Sequence, residues 1–210
     1  MASTTHNSST NLMRKLHYAS GITLSLFIAI HLFNHLTALW GPDMHIQFMD
    51  MLRMLYRNVL VEGILLLCVL LQVGTGLRLA LTKQAASMAE KVQVYSGFYL
   101  SFFLIVHVSA VLFGRYTGLD TNFYFASTGM NYSPFLFFFI PYYFLAVVSI
   151  SLHVSALHYI KTGSRIQAYV IAIIGIIASV LIILAFTNYF KGQASPQQYQ
   201  NFLMQPLGYK

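Results

Sequence analysis

Five long apolar runs alternate with short polar stretches along this 210-residue chain. Each run holds about 20 residues or more, which is the length that an α-helix needs to cross the hydrocarbon core of a bilayer. The pattern therefore predicts an all-α, integral membrane protein with five transmembrane helices. The predicted spans are residues 16–40, 59–81, 94–113, 134–160 and 166–190.

The polar stretches divide the rest of the chain. We expect residues 1–13 to form a mobile polar N-terminal tail, residues 14–190 the transmembrane domain, and residues 191–210 a polar, Gln-rich tail on the surface. Residues 41–58 begin with a Gly-Pro break and mix Met, Leu and charged residues at near-helical spacing, which predicts a short amphipathic helix on the membrane. Pro141 lies inside the fourth run and is expected to kink that helix rather than end it.

Composition supports the membrane assignment, because 57% of the residues are hydrophobic and only 8% are charged. The formal net charge of +7 comes from Lys and Arg side chains that are scattered singly near helix ends. Such a distribution indicates interfacial anchoring, so membrane lipid is the expected partner and nucleic acid is not. Seven of the twelve Lys and Arg residues fall on the side of the N-terminus, which predicts a cytoplasmic N-terminus by the positive-inside rule.

The sequence also limits the chemistry that this chain can carry alone. Cys68 is the only cysteine, which excludes an intramolecular disulfide and an iron–sulfur cluster ligated by cysteines of this chain. The sequence contains neither a G-x-G-x-x-G nor a P-loop pattern. Flavin or nucleotide chemistry would therefore need another polypeptide.

Two histidines lie deep inside predicted spans. At ~1.5 Å per residue, His31 and His107 are each roughly 20 Å from the same side of the membrane. An ionisable side chain at such a depth is costly and indicates a functional site, although either histidine alone is also compatible with a packing role. Two imidazoles at equal depth on different helices can hold a heme iron between them. Gly21, Gly76 and Gly97 would let a flat macrocycle approach the backbone.

Three motifs then carry a family resemblance. They are Leu16, His17, Gly21 and His31 in the first span, QVYSGFYLSFFLIVH from Gln93 to His107 in the third, and LHVSALH with His153 in the fourth. In combination they resemble the single-chain, five-helix cytochrome b membrane anchor of succinate:quinone oxidoreductases and fumarate reductases. The resemblance covers nearly the whole chain in helix order, length and topology.

This resemblance implies a bacterial cytoplasmic-membrane protein whose first four helices form a heme-binding bundle. It implies one heme b held by His31 and His107, with electrons passing between a membrane quinone and peripheral flavoprotein and iron–sulfur subunits of a succinate dehydrogenase or fumarate reductase. The chain would be either a non-catalytic subunit or a quinone-site subunit of that complex. The direction of electron flow and assembly into a homo-oligomer stay open.

The second span departs from the family pattern, because it contains no histidine and has Gln72 at the matching position. In the family, the second heme is held between the second and fourth spans. Since glutamine is a poor iron ligand, the resemblance implies about one heme per chain. The second heme is expected to be either absent or five-coordinate through His153.

Four further residues are candidates for contacts with heme or quinone. His35, one turn beyond His31, would hydrogen-bond a heme propionate or a quinone, or pack against Asn34. Gly97 and Arg78 are candidate cofactor contacts; Arg78, like His17, is also a candidate interfacial anchor at the cytoplasmic end. Glu62, the one acidic residue at membrane depth, is a candidate proton acceptor for quinol oxidation.

Besides a role in quinol oxidation, Glu62 has two purely structural interpretations. Together with His45 and Asp50 it could take protons from quinol; otherwise it would cap its helix or pair with Arg53 or Arg57.

Two other functions for the whole chain also stay open. One is a stand-alone heme membrane protein that senses or shuttles electrons without a dehydrogenase, and the other is a structural membrane anchor that has lost heme.

Overall fold

A computed structural model of the protein describes residues 2–187 and 195–205, with side chains from residue 11 onward. Within those ranges every regular element is helical. The helices are α1 (Ala2–Thr37), a 3-10 turn (Ala38–Trp40), α2 (Pro42–Tyr56), α3 (Val59–Thr82), α4 (Met88–Tyr116), α5 (Phe123–Asn131), α6 (Leu136–Thr162), α7 (Arg165–Phe186) and α8 (Gln197–Met204). Five of them, α1, α3, α4, α6 and α7, are long and apolar enough to cross a membrane, which confirms the predicted all-α fold with five such helices.

The ends of the chain differ from the sequence prediction. Helix α1 begins at Ala2, so residues 2–13 continue the first helix instead of forming a separate tail. The physical reason is that neither Gly nor Pro interrupts the chain before Gly21. Helix α7 ends at Phe186, and the predicted end of the fifth span at residue 190 lies outside the described residues.

Helix α2 is the predicted amphipathic helix. Gly41 precedes it with φ of 120°, a conformation that L side chains rarely adopt, and Pro42 occupies its first turn, where no backbone N–H is needed. Its buried face consists of Pro42, His45 and Met49, while Met51 and Met54 are exposed. Helix α6 runs without interruption through Pro141.

The short helices gather at one end of the bundle. This capped end carries α2, α5 and α8, whereas the opposite loop end carries the short connections at residues 83–87 and 163–164. Helix α8 docks on α5, because Tyr199 is buried and donates a hydrogen bond to the side chain of Asn122 at 3.0 Å. The main apolar core also lies at the capped end, where α5, α6 and α7 meet around Phe123 and Phe186.

The long helices pack as two pairs, α1 with α3 and α4 with α6, and α3 adjoins α4. Helix α7 flanks this arrangement and approaches α6 most closely where Gly175 faces Ser151. Between the two pairs lies an interior cavity of about 1220 Å³ that extends from the capped end to the loop end. Ligand pockets are usually about 300–1,000 Å³, so the cavity is large enough for a substantial cofactor.

Candidate functional site

Histidines form part of the polar lining of the interior cavity at both of its ends. Six of the eight histidines line it, whereas His158 does not and His6 has no described side chain. They form two groups: the capped-end cluster of His31, His35, His45 and His107, and the loop-end pair of His17 and His153. Most of the remaining lining residues are apolar, and at the loop end Arg14, Lys15, Lys83 and Lys161 line the cavity as well.

The capped-end cluster brings His31 of α1 and His107 of α4 together across the cavity. Their ring centroids are 6.2 Å apart, with 64° between the ring planes. Imidazole nitrogen binds a transition metal at about 2 Å, so two rings that share one metal ion have centroids about 6 Å apart. The separation is therefore compatible with one iron between the two rings.

Within this cluster the rings also bond to one another. Nε2 of His31 lies 3.0 Å from Nε2 of His35, and Nδ1 of His35 lies 3.2 Å from Nε2 of His45. Nδ2 of Asn34 donates to the same Nε2 of His45 at 3.3 Å. Each nitrogen–nitrogen contact needs one proton between two rings, so the three histidines form a hydrogen-bonded chain from α1 to α2.

His45 is the member of the cluster that the sequence analysis misplaced. It was expected beside Glu62 on a surface helix, but α2 turns it into the core, where it is 2% exposed and stacks on His35. Burial, together with the positive charges that His31 and Arg53 can carry, lowers the pKa of His45 to about 3, so its ring is neutral at physiological pH. The spacing of four residues between His45 and Met49 puts both on the apolar face of α2, and this pattern could have predicted from the sequence that His45 is buried.

The loop-end pair joins His17 of α1 to His153 of α6. Nδ1 of His17 lies 3.1 Å from Oγ1 of Thr75 on α3, and Nδ1 of His153 lies 3.0 Å from the carbonyl oxygen of Gln93 on α4. Both rings line the interior cavity, His17 from the α1–α3 pair and His153 from the α4–α6 pair. His17 had only been considered as an interfacial anchor, because its partner on α6 is distant in sequence.

The glycines that were expected to give room to a macrocycle receive side chains instead. A Cβ on Gly76 would lie 3.1 Å from Cε1 of His17, and one on Gly97 would lie 3.4 Å from Cε1 of His153. A Cβ on Gly21 would lie 3.0 Å from Nε2 of Gln72. These glycines therefore seat the rings of the loop-end pair and the amide of Gln72 closely against neighbouring helices.

Gln72 is engaged with α1. Its Oε1 accepts a hydrogen bond from Oγ of Ser20 at 2.9 Å, and its amide lies against Gly21. The side chain that replaces the expected histidine on the second span thus bonds to the first span rather than reaching toward His153.

Glu62 has a different partner from those that the sequence suggested. Its carboxylate forms an ion pair with Arg115 of α4, and both residues line the cavity. The expected pairing with Arg53 or Arg57 is wrong, because Arg53 bonds Asp50 at 2.9 Å and Asp120 at 2.8 Å, while Arg57 bonds Thr121. The side-chain cap of α3 is Asn58, whose Oδ1 accepts the N–H of Leu60, while Glu62 lies in the first turn of that helix, where a carboxylate is favourable as predicted.

Arg78 does not join the other candidates, since its side chain is exposed and does not line the cavity. In the described ranges, no group of three or more histidine, cysteine or acidic side chains could hold a metal ion by itself. A heme iron needs only one or two axial ligands from the protein, because the macrocycle supplies the others. Pairs of histidines beside a large apolar cavity fit such a group.

Comparisons with known proteins add no relative. No protein-family model matches the chain, and neither a curated protein nor a solved structure matches it. Function is therefore argued from the motifs of this sequence and from the geometry of its two groups of histidines.

Proposed function

We propose that this chain is a heme b membrane-anchor subunit that relays electrons between a membrane quinone and a peripheral flavin and iron–sulfur dehydrogenase of the succinate or fumarate type. The observation that carries the proposal is the placement of His31 and His107 on opposite sides of the interior cavity, with ring centroids 6.2 Å apart. The motif resemblance supplies the identity of the partner and of the quinone.

The surroundings of this pair suit axial ligands. Phe27 stacks on His31 with centroids 5.6 Å apart, and Phe103 stacks on His107 with centroids 5.0 Å apart. Such stacking restricts the orientation of both rings. A heme bound here would supply one-electron redox chemistry, and the apolar lining would keep water away from it. Ligation by Nε2 of His31 would replace its hydrogen bond to His35.

His35 and Glu62 are the residues that we assign to the quinone. Both line the capped part of the cavity, and His35 is linked through His45 to the amphipathic helix α2. A quinol loses protons as it gives up electrons, so its site needs groups that accept hydrogen bonds or protons. Glu62 offers a carboxylate held by Arg115, and His35 offers a chain of imidazole nitrogens.

The loop end is the face that we assign to the dehydrogenase. Seven basic side chains are exposed there: Arg14, Lys15, Arg78, Lys83, Lys91, Lys161 and Arg165. In the proposed orientation this end faces the cytoplasm, as the positive-inside rule predicts. Positive charge would steer a partner with an acidic docking surface.

The test is purification from the native membrane in a mild detergent, followed by an absorbance spectrum and identification of bound subunits. We expect a b-type heme spectrum together with a flavoprotein and an iron–sulfur protein. Heme without those subunits would favour the stand-alone heme protein, and a folded protein without heme would contradict the proposal. His107→Ala should remove low-spin heme, whereas His158→Ala, outside the cavity, should not.

A further inference from the structure

The loop-end pair has hydrogen bonds that fix the tautomer of each ring. At His153, Nδ1 faces the carbonyl oxygen of Gln93 at 3.0 Å, and a carbonyl can only accept. Oγ of Ser96, 3.2 Å from the same Nδ1, donates its own proton to the carbonyl of Val92 at 2.6 Å. Nδ1 of His153 therefore carries the proton, and Nε2 of the neutral ring carries a lone pair.

The same argument holds for His17 on the opposite pair of helices. Its Nδ1 lies 3.1 Å from Oγ1 of Thr75, and the hydroxyl of Thr75 donates to the carbonyl of Leu71. Since that hydroxyl proton is already used, Oγ1 accepts from Nδ1–H of His17. Nε2 of His17 is therefore also a lone-pair nitrogen.

Neither Nε2 has a hydrogen-bond partner among the described residues. An imidazole that donates its Nδ1–H to an oxygen and leaves Nε2 free is the usual arrangement of a metal-ligating histidine, because the hydrogen bond orients the ring and raises its basicity.

Close packing against glycines also positions the rings of His17 and His153. Gly76 and Gly97 allow each ring to lie directly against the neighbouring helix, since a Cβ at either position would fall 3.1 or 3.4 Å from Cε1 of the ring. His17 belongs to the α1–α3 pair and His153 to the α4–α6 pair, and the cavity that both residues line separates the two pairs. Gln72 is hydrogen-bonded to Ser20, so its side chain does not compete with His17 as the ligand opposite His153.

We infer that His17 and His153 are the axial ligands of a second heme at the loop end of the cavity. This inference deepens the proposed function and rests on it. Here the first span supplies the ligand that the second span lacks. His17 and His31 are fourteen residues apart on α1, so the two hemes would be stacked roughly 21 Å apart along the helix, between the capped end and the loop end.

The experiment counts hemes and identifies their ligands in the purified full chain. Pyridine-hemochrome analysis should give two hemes per chain, and electron paramagnetic resonance should give two low-spin signals. His17→Ala should abolish one low-spin signal, and imidazole added to that variant should restore it. His17→Met should keep six-coordinate iron and raise one of the two midpoint potentials, because His/Met ligation raises the potential of a heme. A purely structural role for His17 would not change a potential in this way.

Other outcomes separate this inference from the proposed function. One heme per chain, insensitive to His17→Ala and lost in His107→Ala, would overturn the loop-end site and leave the function intact. Two hemes of which one is high-spin in the wild type would also overturn it, since His153 would then be the only ligand at that end. Absence of heme would overturn both proposals. If His17→Ala fails to accumulate, the number of hemes per chain and the two low-spin signals of the wild-type protein still test the inference.

Discussion

The capped-end cluster and the loop-end pair use the same side chain in opposite ways. At the loop end each ring donates Nδ1–H to an oxygen, either the hydroxyl of Thr75 or the carbonyl of Gln93, and Nε2 is left free. At the capped end the rings of His31, His35 and His45 bond to one another. Rings anchored by oxygen atoms are suited to hold a metal, whereas rings in a chain are also suited to hold or transfer a proton.

The surroundings of the capped-end cluster and of the loop-end pair also differ. The capped-end cluster is covered by α2 and by the apolar core around Phe123 and Phe186, so its polar atoms depend on one another. Nδ1 of His45 and Oδ1 of Asn34 are buried there without a partner among the described residues. The loop-end pair instead lies near a surface rich in Lys and Arg. We therefore propose proton and quinone chemistry for the capped end, and electron exchange with the dehydrogenase for the loop end.

The largest expected effect is the loss of the heme signal from one end of the cavity while the signal from the other end is retained. His107→Ala should remove the low-spin heme of the capped end completely and leave the loop-end signal intact, because the only histidine ring that His107 contacts among the described residues is that of His31. Electron paramagnetic resonance of the purified variant measures this. Simultaneous loss of both signals, with the helix content unchanged, would show that the two ends do not act as separate sites.

Quinol oxidation should depend on the capped end. Glu62→Gln keeps the size of the side chain but removes a proton acceptor, so turnover should fall roughly 10²-fold or more if the carboxylate takes the proton. The heme spectrum should be unchanged. Arg115→Gln is the matched variant, because it breaks the same ion pair and keeps the carboxylate. Equal losses in the two variants would assign the effect to the ion pair rather than to proton transfer.

Acid should destabilise the capped end through His45. Its pKa is about 3 in the folded protein and about 6.5 in an unfolded chain, so the unfolded state binds more protons between those values. Stability should therefore be highest above about pH 6.5 and fall as the pH decreases toward about 3, with His45 contributing up to tenfold in the unfolding equilibrium constant per pH unit.

Thermal unfolding in detergent at several pH values measures this dependence. His45→Gln should unfold at a lower temperature at pH 7 and show a shallower loss on acidification. His158→Gln, which changes a histidine outside the cavity, should keep the wild-type slope. The expectation is wrong if His45→Gln retains the full slope.

A smaller effect is expected from the glycine that seats His17. In Gly76→Val the new side chain would press on the ring of His17, where even a Cβ lies 3.1 Å from Cε1, and loop-end heme occupancy should fall several-fold. Gly74→Val is the control, since a Cβ at Gly74 meets nothing within 4 Å. Equal heme contents in the two variants would mean that the position of His17 does not matter to the site.

The long helices could be predicted from the sequence, because a membrane-spanning helix leaves a local signal of about 20 apolar residues. The prediction of five long apolar helices is confirmed, and α2 forms a helix with one buried face as its sequence pattern predicts. Helix α5 was missed, since its nine residues lie in an aromatic segment where hydropathy alone does not separate a short helix from a loop.

The candidate site could be predicted only in part, for reasons of tertiary packing. The equal depth of His31 and His107 followed from counting residues along helices, and the structure brings the two rings within 6.2 Å of each other, centroid to centroid, in an edge-on arrangement. The helical register and the crossing of helices decide the other contacts. His45 turns inward from α2, Glu62 pairs with Arg115, and His17 bonds Thr75, and none of these contacts is local in sequence.

The most direct test of the central claim is the heme content of the purified full-length chain. A dithionite-reduced minus oxidised spectrum and a pyridine-hemochrome assay, both normalised to protein, should show b-type heme in low-spin, bis-histidine form. We expect two hemes per chain, one lost in His107→Ala and the other in His17→Ala. A folded, helical protein that is purified from heme-replete cells without heme, and that binds none when heme is added, would contradict a role in electron transfer.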